Sequence, residues 1–104
     1  MLEIKASASF KKAAKKLNDR DKGLLKEVLG KLVNNEKLDE KYCDHALKGK
    51  YLGFRDCHIK PDLVLIYKIE HNALLLYLAN IGSHSELGIY GIKNEYFWEK
   101  MCAK

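Results

Sequence analysis

From Ser9 onward, Phe10, Ala13, Ala14 and Leu17 fall at i, i+3, i+4 and i+7, the stripe of an amphipathic helix, with Lys11, Lys12, Lys15 and Lys16 on its other faces. Asn18-Asp19 follows as a turn and cap. Leu24, Leu25, Val28, Leu29, Leu32 and Val33 then repeat the helical period up to Asn34-Asn35. The short connection predicts an antiparallel helix hairpin. From Tyr51 the period changes. Runs rich in aromatic and branched residues at 51–59, 63–69 and 73–79 are separated by Lys60-Pro61-Asp62 and Glu70-His71-Asn72, and predict three strands in meander order. A short strand is expected at residues 2–5. Residues 89–104 suit either a helix capped by Asn94 or a strand through 89–92. Helices before strands predict an α+β fold, with the helix hairpin packed on one face of an antiparallel sheet.

At 104 residues the chain is expected to be one domain. It has no apolar run long enough to span a bilayer and no apolar segment behind Met1 that reads as a secretory signal, so a cytoplasmic location is expected. Cys43, Cys57 and Cys102 are widely spaced without a C-x-x-C pair, and are expected as free thiols. The net charge of +5 is uneven: residues 1–60 hold 15 Lys or Arg against 9 acids, whereas residues 61–104 hold 4 against 5. A polyanion would therefore meet the first half, unless the 17 lysines only solubilise the surface.

The segment R-D-C-H-I-K-P-D at 55–62 crowds titratable groups around the only proline. Strand alternation puts Leu52, Phe54, Asp56 and His58 on one face, and Arg55 and Cys57 on the other, unless a bulge intervenes. His58 and Asp62 flank the bend, where a carboxylate would hydrogen-bond the imidazole, fix its tautomer and raise its pKa. His45 precedes the first meander strand and His84 follows the last, both at junctions where sites are commonly built. His71 belongs to the opposite turn and reads as a solvated residue. Three imidazoles and a carboxylate suit a metal or metal-free proton transfer. The spacing matches no metal-ligand signature, so no metal or other cofactor is expected. In proton transfer at a phosphodiester, one group would take the ribose 2′-hydroxyl proton and another protonate the departing 5′-oxygen. Lys48, Lys50, Arg55 and Lys60 would supply phosphate contacts.

D-H-A-L-K-G-K at 44–50, F-R-D-C-H-I-K-P-D at 54–62, L-I-Y-K at 65–68 and G-S-H-S-E-L at 82–87 stand in an ordered set. Through them the chain resembles the YafQ branch of the RelE-type bacterial toxins, from the helix pair to about Leu87. The resemblance implies a RelE-like α+β domain over residues 1–104, with 89–104 as an extension. It also implies neutralisation by a small antitoxin of the DinJ/RelB kind, operator DNA binding only through that antitoxin, and metal-free cleavage of messenger RNA on the ribosome by 2′-hydroxyl attack. His45, His58, Asp62 and His84 match the family's active-site positions, with His84 as general acid, Asp62 or His45 as base, and His58 orienting them and holding the phosphate. Two positions depart from the family: Asn80 stands where an arginine is usual, and Gly88 where a base-stacking aromatic is usual. These favour an alternative, a weakly active or inactive toxin-fold protein that acts through antitoxin binding and operator repression. The basic helices alone would also suit a plain RNA-binding module, recognised by salt-sensitive binding without cleavage.

Overall fold

Two side-chain caps start the helices. The Phe10 amide donates to Ser7 Oγ at 3.0 Å, so α1 (Ala8–Lys15) begins before the first apolar residue of its stripe. The Asp21 amide donates to Asn18 Oδ1 at 2.7 Å and opens α2 (Asp19–Val33) where the sequence places it. The structure, a computed structural model, describes residues 1–87, with Lys50 as backbone only. The helix or strand expected after residue 88, together with Gly88 and Cys102, lies outside the described residues.

The three expected meander strands are present as β3 (Arg55–Lys60), β4 (Leu63–Glu70) and β5 (Leu75–Gly82), each antiparallel to its sequence neighbour. Two further strands lie at the edges. One is β1 (Glu3–Ala6), parallel to β5; the other is β2 (His45–Ala46), antiparallel to β3; the order is β1-β5-β4-β3-β2. The expected strand over 51–59 starts late, at Arg55. Residues Gly49–Tyr51 form a 3-10 turn and Gly53 takes φ +95°, a conformation that glycine adopts without a Cβ penalty. This reversal lets the Leu47 amide donate to the Phe54 carbonyl at 2.9 Å and lays His45 opposite Asp56.

One sheet face carries the main core. Phe10, Leu25, Val28 and Leu32 of the helices are buried together with Cys57, Leu65, Tyr67, Leu76, Leu78 and Ile81. The other face buries Val64, Ile66 and Leu87, with Leu47, Tyr51, Phe54 and Ala79 packed half-exposed around them. A bulge in β5 reconciles the two faces. Ile66 pairs with Asn80 but Tyr67 pairs with Leu78, so Ala79 is the extra residue. It lets Leu76, Leu78 and Ile81 all enter the helix-side core although their numbers change parity. The Ala79 carbonyl accepts from Ser7 Oγ at 2.6 Å, which ties the bulge to the start of α1.

Cys57 is the free, buried thiol among the described residues, and burial raises its pKa and keeps it protonated. Cys43 is not free, which corrects the expectation for that position. No helix among the described residues is long and apolar enough to cross a membrane.

Candidate active site

The sheet face away from the helices carries the polar cluster. Asp56 and His58 share it, as strand alternation requires, and the bulge at Ile59 comes only after both. His58 lies opposite Val64, which lies opposite Gly82; Asp56 lies opposite Ile66, which lies opposite Asn80. The site therefore sits at the end of the sheet where β3 turns into β4 and β5 runs into the helix α3 (His84–Leu87).

His84 is held by its neighbours in the sequence and by the turn. The Ser83 amide donates to Glu86 Oε1 at 2.8 Å, while the Glu86 amide donates to Ser83 Oγ at 3.1 Å, a reciprocal cap that starts the helix at His84. A Cβ at Gly82 would stand 2.9 Å from Glu86 Oε1, the mobile end of the capping side chain, so a larger residue there would have to displace that carboxylate from the cap. Asp62, in the exposed turn after Pro61, accepts the His84 backbone amide at 3.1 Å and faces His84 Nδ1 at 2.8 Å. These two hydrogen bonds hold the Asp62 pKa below the usual carboxylate value.

The expected partnership of His58 with Asp62 is corrected here. Asp62 engages His84, and His58 packs edge-on against the His84 ring, with centroids 5.1 Å apart. The expected upward shift of His58 is reversed. Burial, reinforced by the His84 and His45 charges, lowers its pKa to about 4 and makes it a neutral imidazole at pH 7. The bend is short, and once the chain returns as β5 the first turn of α3 offers Asp62 both an amide and an imidazole.

His45 comes to the same face from the sheet edge. Its Nδ1 donates to the Cys43 carbonyl at 2.9 Å and lies 3.3 Å from Asp56 Oδ1. A carbonyl only accepts, so Nδ1 carries the proton and the lone pair of the neutral ring is on Nε2. Burial lowers the His45 pKa from 6.5. Asp56 is fully buried, and burial, with a contribution from nearby Asp44, raises its pKa to about 8. Neither of its oxygens has a hydrogen-bond partner among the described residues. A neutral acid is the form of Asp56 such a place tolerates.

The basic residues divide. Arg55 Nε donates to Asp44 Oδ1 at 3.1 Å, and the Tyr67 hydroxyl donates to the same oxygen at 2.6 Å. Arg55 lies on the helix-side face and anchors the segment carrying His45. Lys60 reaches Asp21 of α2 at 3.1 Å, because the bulge at Ile59 turns it toward the helices. Lys48 is exposed after β2, and the side chain of Lys50 is not described. His71 is exposed at the opposite turn, as expected. Sequence reasoning placed Asp56 on the face of His58 without giving it a role, and overlooked Asp44 and Tyr67 as parts of this assembly. A visible signal existed for Asp56, an acid inside a strand next to the apolar-facing Cys57. Among the described residues no group of three or more His, Cys, Asp and Glu side chains is arranged to hold a metal ion.

Comparison with known proteins relates the chain to a family. The family model described as bacterial toxin of type II toxin-antitoxin system, YafQ, matches residues 2–89. The mRNA interferase toxin YafQ of Escherichia coli K12 is 36% identical over 88 residues, covering 82% of this chain and 94% of that protein. Among solved structures, a metal-bound toxin from Helicobacter pylori superposes with a TM-score of 0.74 at 42% identity, covering 84% of this chain and 99% of that one. YafQ in the Escherichia coli DinJ–YafQ complex superposes with a TM-score of 0.73 at 36% identity, covering 84% and 98%.

Proposed function

The chain belongs to the YafQ family of type II toxin–antitoxin toxins, and from that premise we propose that it is an endoribonuclease that cuts messenger RNA on the ribosome and is neutralised by a DinJ-like antitoxin. We read the whole chain as one RelE-like toxin domain in the cytoplasm, with α1 and α2 as its helix hairpin, residues 89–104 as an extension, and operator DNA bound only through the antitoxin. The observation that carries the nuclease reading is the His84–Asp62 pair at 2.8 Å, set against the buried His58 on the sheet face away from the helices.

The chemistry follows from the proton positions. His45 is neutral with its lone pair on Nε2, the state of a general base, whereas Asp62 is already engaged by His84. His45 Nε2 takes the 2′-hydroxyl proton, the 2′-oxygen bonds to the adjacent phosphorus, and the bond from phosphorus to the 5′-oxygen breaks. His84, oriented through Nδ1 by Asp62, gives that oxygen a proton from Nε2, a buried atom that RNA binding must uncover. The products are a 2′,3′-cyclic phosphate and a 5′-hydroxyl, and no step calls for a metal. Neutral His58 orients the His84 ring from beneath, where it is buried. Lys48 and Lys50 remain the candidates for phosphate contact, since Arg55 and Lys60 are paired with Asp44 and Asp21.

One observation favours a second reading. Asn80 stands beside the cluster, its Oδ1 accepts the Ile81 amide at 2.9 Å, and it brings no charge to a phosphorane. A loss of one such donor costs several kcal/mol of transition-state stabilisation, which suits a toxin that acts mainly by binding its antitoxin. Primer extension on ribosome-bound messenger separates the readings. Cuts made by the wild type and absent with His84→Ala support the nuclease; identical patterns from the two proteins dismiss this site as the nuclease centre.

A further inference from the structure

The face that holds the cluster continues down the sheet into a row that the proton-transfer chemistry does not use. Past the Ala79 bulge, Tyr77 pairs with Lys68 on β4, and the Lys68 ammonium lies 5.5 Å from the centroid of the Phe54 ring. The Phe54 and Tyr77 rings are 6.2 Å apart at 55°. Both are half-exposed. The bulge is what places Tyr77 here: without the extra residue, strand alternation would give this face Leu78 and send Tyr77 into the helix-side core. The row stands two pleats from the row of His58, about 13 Å along the strands, within reach of a nucleotide close to the scissile link.

We infer that Tyr77, buttressed by Phe54 and Lys68, is a stacking platform for an unpaired nucleobase of the RNA. Every base has a π-face, and single-stranded RNA is recognised by stacking splayed bases on aromatic rings. Lys68 strengthens the site by setting a cation over the buttressing ring, while its ion pair with Glu70 at 2.9 Å keeps it in place. The inference rests on the nuclease reading for the identity of its ligand, and its test reads binding rather than cleavage.

The probe is a short single-stranded 2′-fluoro RNA, which lacks the attacking hydroxyl, carrying one 2-aminopurine moved base by base along the strand. Its fluorescence is expected to be quenched at one position on the wild type and on Tyr77→Phe. With Tyr77→Leu the quench should vanish and the RNA should bind about ten- to a hundredfold more weakly. His84→Ala should keep the quench, so a failed nuclease reading and a failed platform give different results. Should Tyr77→Leu not fold, 5-iodouridine photocrosslinking to the wild type takes its place, with Tyr77 or Phe54 as the expected adduct. Absence of quenching at every position, an unchanged quench in folded Tyr77→Leu, or adducts confined to other residues would overturn the platform.

Discussion

Replacing Asp56 by asparagine should remove a pH dependence of folding that a fully buried carboxyl imposes. The ordinary pKa of 3.8 rises to about 8 in the fold, chiefly because burial penalises the charged form. The unfolded chain gives up this proton above about pH 4, while the folded chain keeps it until about pH 8. The folded state thus binds more protons between those values. The stability from the neutral acid is complete below the unfolded pKa and is lost as pH rises through the folded one. Within the window the loss is about 1.4 kcal/mol per pH unit. Urea denaturation at steps from pH 6.5 to 8.5 is the assay. His45 and His58 have lowered pKa values and change their contribution below pH 6.5. The raised pKa values of Cys57 and Tyr67 move their contributions to the alkaline side of the window. Asp56→Asn keeps the shape and cannot ionise, so it should gain on the wild type by roughly 2 kcal/mol between pH 6.5 and 8. Parallel curves for the two proteins would refute the reasoning, since they would mean that Asp56 is already charged in the folded state.

Tyr67→Phe removes one of the two donors on Asp44 Oδ1 and should cost about 1 kcal/mol. It should also slow RNA cleavage by loosening the His45 segment, measured as a drop in kcat with the fold intact by circular dichroism. Gly82→Ala drives a Cβ to within 2.9 Å of Glu86 Oε1 and should break the cap of α3, lowering Tm and cleavage together; an unchanged Tm would remove the steric explanation. The acid limb of kcat/KM should fall below the ordinary histidine value of 6.5, because burial lowers the His45 pKa and a base must be neutral to act. His45→Gln should abolish the limb along with most of the rate. Lys60→Ala should lower stability by no more than about 1 kcal/mol, as its pair with Asp21 is partly solvated, and should leave RNA affinity unaltered.

Local pattern was enough for much of this molecule. The Phe10 to Leu17 stripe, the cap at Asn18, the 3.6-residue period of α2 and the three strands each depend on neighbours a few positions apart, which is where capping and alternation act. The same alternation placed Asp56 and His58 on one face and Arg55 and Cys57 on the other. Long-range pairing decided the remainder. β2 exists because Gly53 and the turn at Gly49–Tyr51 fold two residues back along β3, and that places His45 beside Asp56. The β5 bulge is written in the sequence only as a change of parity between Leu78 and Ile81, and it becomes readable once the helix-side core is known. Which imidazole Asp62 would hold depended on where β5 delivered α3. The charge state of Asp56 and His58 depended on how much water the assembled sheet leaves around them. Residue types and their spacing set the elements and the available chemistry; partners and protonation states are properties of burial and distance, which arise only when segments far apart in the chain meet.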